Sequence, residues 1–257
     1  MPTSHQPQVF MPAVSVAAGR PHVKTRLPRP VSGLLFDMGD VLYDATAWRR
    51  WLLQVLGRLG LHTNYRSFFT IWDRDFLDDV HRGRREFSEA FRAFLRSAGL
   101  SCGQIDEVDA ACRARRSQWE VTARLLPGVK TTLGRLRAAG CTLGVLSDSE
   151  HPAAVLGERL ERLGLGGLFA AVVSSIDLGR IKPDPLGYLT ALQGMQLGAK
   201  GVAFVGHDAA ELAGAAKVGM QTIAFNFAPD ARADVFLTRF DELLELVDVP
   251  PASAATG

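Results

Sequence analysis

Six short apolar runs separated by helical stretches constrain this chain more than any other feature. Gly33–Phe36, Thr142–Leu146, Ala170–Val173, Val202–Val205 and Thr222–Phe225 are compact and apolar, and a weaker run covers Asp234–Leu237. Runs of this length fit strands covered on both faces. Their alternation with helices predicts an α/β, Rossmann-like fold: a mostly parallel sheet with helices on both faces. Ligands of such sheets bind at the carboxyl ends of the strands.

Residues 46–124 interrupt the alternation. Trp48, Trp51, Leu52, Val55, Leu56 and Leu59 recur at helical spacing, as do Phe87, Phe91, Phe94 and Leu95. The expected organisation is a core of residues 31–45 and 125–248 carrying an inserted α-helical cap, 46–124, over the carboxyl edge of the sheet. Residues 1–30 hold six prolines and no sustained apolar period; they and residues 249–257 are expected to be disordered.

Charge and cysteine usage exclude several classes. The net charge of +2 belongs to the extension, because residues 1–36 contain Arg20, Lys24, Arg26 and Arg29 but no acid. Without those four the chain has 25 basic and 27 acidic residues, so no nucleic-acid surface is expected. The longest uncharged stretch of the body, Pro185–Ala199, is 15 residues, short of the roughly 20 that a membrane helix needs. No signal peptide is expected either, since the positive charges follow the weak apolar run. Cys102, Cys112 and Cys141 are odd in number and lack a C-x-x-C spacing, which suggests free thiols and a cytoplasmic location. The sequence leaves the oligomeric state open.

The interesting polar groups stand where strands end. Asp37 follows the first run and Ser147 the second, while Lys182 lies in the loop Gly179–Pro185 after the third. His207, Asp208 and Glu211 follow the fourth. A carboxylate nucleophile, a hydroxyl, an ammonium and an acidic cluster on one edge are the parts of an anionic-ester hydrolase. Asp184 before Pro185 predicts a capped helix start that would steady the loop holding Lys182.

These stretches resemble the haloacid dehalogenase superfamily, whose members are mostly phosphatases. The likeness rests on Leu-Leu-Phe-Asp37-Met-Gly-Asp, Leu-Gly-Val-Leu-Ser147-Asp-Ser, Gly-Arg-Ile-Lys182-Pro-Asp-Pro-Leu-Gly-Tyr188 and Phe-Val-Gly206-His-Asp-Ala-Ala-Glu211. The resemblance implies an aspartyl-phosphate formed on Asp37 and a small anionic phosphorylated substrate. Ser147, Asp148 and Lys182 would surround the phosphoryl group, and Asp37, Gly39, Asp208 and Glu211 would hold Mg2+.

Two departures matter. The family's second Asp, a proton donor to the leaving group, is Gly39 here, with Asp40 one residue further on. Its metal-binding Asp falls on His207, and imidazole suits magnesium poorly. His207 could instead satisfy a hydrogen bond beside Asp37. Two alternatives to a phosphatase follow: a non-catalytic phospho-ligand-binding pseudoenzyme, and a metal-independent 2-haloacid dehalogenase.

The cap is rich in arginine. Arg49, Arg50 and Arg82-Gly83-Arg84-Arg85 either find local acidic partners or grip the distal end of a substrate, with Arg49 the leading candidate. Trp119 and Glu120 are expected to pack a hinge or line the pocket.

Overall fold

The computed structural model describes residues 26–247, except the side chains of residues 116–122. The roles expected of Trp119 and Glu120 therefore lie outside the described side chains, as do residues 1–25 and 248–257 of the two tails. Residues 26–30, assigned from composition to a disordered extension, are fastened. The Arg29 amide donates to Gln221 Oε1 at 2.8 Å, and Gln221 Nε2 donates to the Arg29 carbonyl at 2.9 Å. Gln221 is buried, and a buried amide needs such partners. Order thus begins earlier than proline content suggests.

Six parallel strands form one sheet: β1 (Gly33–Phe36), β2 (Thr142–Ser147), β3 (Phe169–Ser174), β4 (Val202–Gly206), β5 (Gln221–Phe225) and β6 (Val235–Leu237). Their order is β3-β2-β1-β4-β5-β6. The chain thus builds outward on one side of β1, then crosses to the other, which opens a crevice at the ends of β1 and β4. Phe36 stands opposite Val145 on β2 and Val205 on β4, so Asp37 emerges between these neighbours.

Side chains alternate between two cores, as the period of a strand requires. Leu34, Phe36, Leu143, Val145, Ala203, Val205 and Ile223 enter one; Leu35, Leu146, Val202, Phe204 and Ala224 enter the other. Gly144 has a steric reason: a Cβ there would lie 2.7 Å from Met195 Sδ, so a helix packs directly on β2.

The helices are α1 (Ala47–Arg58), α2 (Tyr65–Trp72), α3 (Asp78–His81), α4 (Phe87–Ser97), α5 (Cys102–Thr122), α6 (Val129–Ala138), α7 (Ala153–Arg162), α8 (Ser175–Leu178), α9 (Pro185–Met195), α10 (Ala209–Val218) and α11 (Leu243–Leu246). A final helix spanning Asp241–Val247 is expected from the sequence, but a 3-10 turn at Phe240–Glu242 precedes the short α11. There the Glu242 carboxylate accepts from the Thr238 hydroxyl at 2.8 Å, holding the turn back against the chain. No described helix is long and apolar enough to cross a membrane.

Helices α1 to α5 share a core of their own. Trp72 is fully buried at its centre, with the rings of Phe87, Phe91 and Phe94 at 5.6, 5.7 and 5.2 Å. A chain of hydrogen bonds ties these helices to the sheet edge. Ser175 Oγ donates to the His81 carbonyl at 2.8 Å and accepts from the Ser149 amide at 3.0 Å.

Candidate active site

Four ionisable side chains, three from loops and Glu211 from the first turn of α10, meet at the crevice. Asp37 follows β1 directly, and its amide donates to the Val205 carbonyl at 2.9 Å, which extends the sheet by one rung. Its Oδ1 pairs with Lys182 Nζ, whose other partner is Glu211 Oε2 at 2.6 Å. The Lys182, Asp37 and Glu211 side chains are 6%, 6% and 4% exposed. His207 Nδ1 closes the cluster, 3.2 Å from Glu211 Oε1 and 3.4 Å from Asp37 Oδ2. Nδ1 is buried and makes a geometrically acceptable hydrogen bond with neither.

The local folding that produces this cluster is specific. Asp184 Oδ1 accepts from the Leu186 amide at 2.9 Å at the start of α9, with Pro185 as its first residue. This N-cap is the one the sequence predicts, and it anchors the loop that delivers Lys182. Asp148 holds the other side of that loop, accepting from the Lys182 amide at 3.1 Å. Gly214 lets α10 approach, since a Cβ there would stand 2.7 Å from Pro183 Cβ and 2.8 Å from the Tyr188 hydroxyl. Gly206 makes room for the carboxylate, as a Cβ would lie 2.8 Å from Glu211 Oε1. Tyr188, at the end of the third sequence stretch, donates its hydroxyl to the Glu211 carbonyl at 2.7 Å.

Burial alone would discharge these groups, but their neighbours oppose it. Desolvation disfavours the Lys182 ammonium, yet Asp37 and Glu211 outweigh it and hold its pKa well above the usual value. Burial likewise disfavours a charged His207, but the two carboxylates push its pKa up to about 11. Glu211, buried, is held well below the usual carboxylate range by Lys182 and His207. Asp148 goes the other way: burial pushes it up to about 6, against the opposing pull of Lys182. Burial also pushes the Cys112 and Cys141 thiols up to about 11, which disfavours thiolate chemistry there.

Three residues expected at the site are engaged differently. The Asp208 carboxylate, expected to shift toward a metal ion, accepts from the Ala210 and Glu211 amides at 2.7 and 3.3 Å and so caps α10. Glu211 reciprocates, its Oε1 accepting from the Asp208 amide at 2.9 Å, which completes a capping box. The Asp208-x-x-Glu211 spacing carries that signal in the sequence. Arg49 makes a bidentate pair with Asp73 at 2.7 and 2.8 Å, its guanidinium 4.9 Å from the Phe69 ring centroid. Gly39 makes an isolated bridge to Tyr43, and a Cβ on it would stand 3.2 Å from Ala45 Cβ. Asp40 adopts φ +55° and accepts from the Ala45 amide at 2.9 Å, so it shapes the turn.

Arg82, Arg84 and Arg85 pair with Asp78, Asp79 and Glu89, the local-partner pattern. Ser147 is buried at the end of β2, one residue beyond the level of Asp37. The hydrogen-bonded link through Ser149 and Ser175 to His81 escaped sequence reasoning, because serines in loops carry no pattern.

The donor set does not suit magnesium. Asp37, His207 and Glu211 each present a ligand atom, and these lie within 4.8 Å of one another. Glu211 Oε1, however, already accepts from the His207 and Asp208 amides at 2.8 and 2.9 Å, and its Oε2 takes Lys182. With Oε1 saturated, this set offers Asp37 Oδ2 beside an imidazole nitrogen, a mismatch in donor type for an ion that prefers an all-oxygen octahedron.

A groove of roughly 760 Å³ opens beside Lys182, between the inserted helices and the core. Asp73, Arg74, Asp78 and Arg82 line one side; Lys182, Asp184 and Asp208 line the other. It is strongly charged.

Comparison with known proteins agrees with this geometry. A family described as haloacid dehalogenase-like hydrolase matches residues 31–219. The chain is 28% identical to a phosphoglycolate phosphatase of Yersinia pseudotuberculosis over 236 residues, covering 86% of this chain and 95% of the relative. It is 27% identical to a glyceraldehyde 3-phosphate phosphatase of Pyrococcus abyssi over 199 residues, covering 76% and 81%. The fold matches that of the magnesium-bound HAD-hydrolase YfnB from Bacillus subtilis with a TM-score of 0.67 at 17% identity, covering 86% and 100% of the two chains.

Proposed function

The chain belongs to the haloacid dehalogenase-like hydrolase family, and on that premise we propose that it hydrolyses a small phosphate monoester or acyl phosphate through Asp37. The observation that carries this is the asymmetric Asp37 carboxylate. Its Oδ1 is pinned by Lys182, while Oδ2 faces His207 at 3.4 Å and keeps a lone pair for attack. A pinned carboxylate is oriented before substrate arrives.

In the first step Asp37 Oδ2 bonds to phosphorus as the bond to the leaving oxygen breaks, and the electron pair departs with that oxygen. Ser147 and neighbouring amides hold the non-bridging oxygens, and Lys182 offsets the charge on Asp37. In the second step water adds to phosphorus and the Asp37 Oδ2–phosphorus bond breaks. Dihydrogen phosphate leaves with both protons of the water, and the carboxylate is restored. Gly39 supplies no proton to the leaving group, which favours acyl phosphates, whose carboxylate departs unprotonated.

The groove lining carries four acids, Asp73, Asp78, Asp184 and Asp208, and three bases, Arg74, Arg82 and Lys182, so its charge does not separate a phosphoryl compound from a haloacid, which is an anion too. The likeness to phosphoglycolate and glyceraldehyde 3-phosphate phosphatases is the reason to prefer a phosphatase over a dehalogenase. Phosphate release from acetyl phosphate by the purified protein tests the reading, together with halide release from 2-chloropropionate. Phosphate release is expected, falling by about 10³-fold or more in Asp37→Asn. Halide release instead would make the protein a dehalogenase. Silence in both assays, with tight binding of a phosphorylated ligand, would make it a binding protein.

A further inference from the structure

We infer that this site excludes a divalent cation, with Lys182 on one side of Asp37 and Glu211 and the His207 ring on the other, in the place such an ion would take, and that nitrogen donors meet the phosphoryl group instead. The inference rests on the phosphoryl-transfer reading for its ligand, but on geometry alone for the exclusion.

Three observations carry it. Lys182 Nζ bridges Asp37 Oδ1 and Glu211 Oε2 from one side of the crevice. His207 Nδ1 stands on the other side, between Asp37 Oδ2 and Glu211 Oε1 at 3.4 and 3.2 Å. An ion bound between the two acids would have to displace that ring. Glu211, finally, is committed by the architecture of α10. Its Oε1 takes the His207 and Asp208 amides at 2.8 and 2.9 Å, so freeing it for a metal would undo the capping box.

The same restriction covers transition metals that accept imidazole. With Glu211 Oε1 saturated, Asp37 Oδ2 and His207 Nδ1 remain as donors of this cluster, and protein sites generally need three or more. The side chain of His207 is 34% exposed although its Nδ1 is buried, so part of the ring is open to solvent. Lys182 Nζ and the His207 ring flank the nucleophile, and an oxyanion there would meet N–H donors without a metal.

Titration calorimetry of the full chain with Mg2+, Mn2+ and Zn2+, and with orthovanadate in excess chelator, tests this. The wild type is expected to show no saturable cation binding up to millimolar concentration, and to bind orthovanadate as tightly with chelator as with Mg2+. His207→Asp is expected to acquire saturable Mg2+ binding. His207→Asn, which removes the ring and adds no carboxylate, is expected to weaken orthovanadate by about tenfold or more in chelator. Saturable cation binding by the wild type, or orthovanadate binding that requires Mg2+, would overturn the inference and leave the phosphatase reading standing. Absence of orthovanadate binding under both conditions would overturn that reading and the anion-holding role, while the cation titration still decides the exclusion. Failure of His207→Asp to gain Mg2+ would show that the imidazole is not the excluding group.

Discussion

Lys182 Nζ lies 2.6 Å from Glu211 Oε2, and the two side chains are 6% and 4% exposed, so an ion pair is held almost entirely away from water. Such a pair is costly to break from one side, because the surviving charge stays buried. Lys182→Met, which strands Asp37 and Glu211, should destabilise the protein by about 3–5 kcal/mol. Adding Glu211→Gln to it should cost less than the sum of the single changes. Urea unfolding of the two single variants and the double variant measures this. Strict additivity would mean that the pair is not coupled.

The pH dependence of stability should have two limbs of opposite sign. Glu211 is held below its usual value of 4.5, so the folded state releases its proton more readily than the unfolded state. Its contribution is present above about pH 4.5 and is lost as pH falls below that value. His207 is raised from 6.5 to about 11, so the folded state keeps a proton that the unfolded state gives up. Its contribution is full below pH 6.5 and is lost as pH rises toward 11. Solvent around the partly exposed ring reduces the slope below the one-proton limit. Thermal unfolding between pH 4 and 10 should show the alkaline decline in the wild type and its flattening in His207→Asn.

Gly39 makes turnover depend on the leaving group. General acid catalysis contributes typically 10²–10⁴-fold. An alkyl phosphate, which needs that proton, should therefore react at least about 10²-fold more slowly than acetyl phosphate. Equal kcat/KM for the two would show that a proton donor other than residue 39 serves the leaving oxygen. Gly39→Asp should narrow the gap only partly, since its Cβ would meet Ala45 Cβ at 3.2 Å.

Asp184 affects the site through the loop that carries Lys182. Removing the N-cap with Asp184→Ala should cost about 1 kcal/mol. It should also lower kcat more than it raises KM, because it loosens a group that acts on the nucleophile and not on the distal substrate. Recovery of both values in Asp184→Asn, which can still accept from the Leu186 amide, would mark the effect as capping. No recovery would assign Asp184 a role through its charge.

Much of the fold is legible in the sequence. The strands could be read because apolar runs of four to six residues have few other uses, and the acid after Gly33–Phe36 then falls at a strand end by counting. The cap at Asp184 was legible because an N-cap followed by proline is a local arrangement. Asp208 carries an equally local signal. The Asp208-x-x-Glu211 spacing indicates a capping box, and the structure forms it.

What the sequence by itself determined is the strand–helix alternation, the strand ends and the identity of the acid that closes β1, because these depend on neighbours within a few residues. What only the tertiary structure decided is the state of the site. The oxygens of Glu211 are spent on two amides and on Lys182, Arg49 is spent on Asp73, and His207 stands between two acids. Lys182 and Asp37 are 145 residues apart in the chain, and no periodicity specifies their meeting. Which lone pairs and charges remain free for chemistry depends on every contact a group makes, and most of those contacts come from distant parts of the fold.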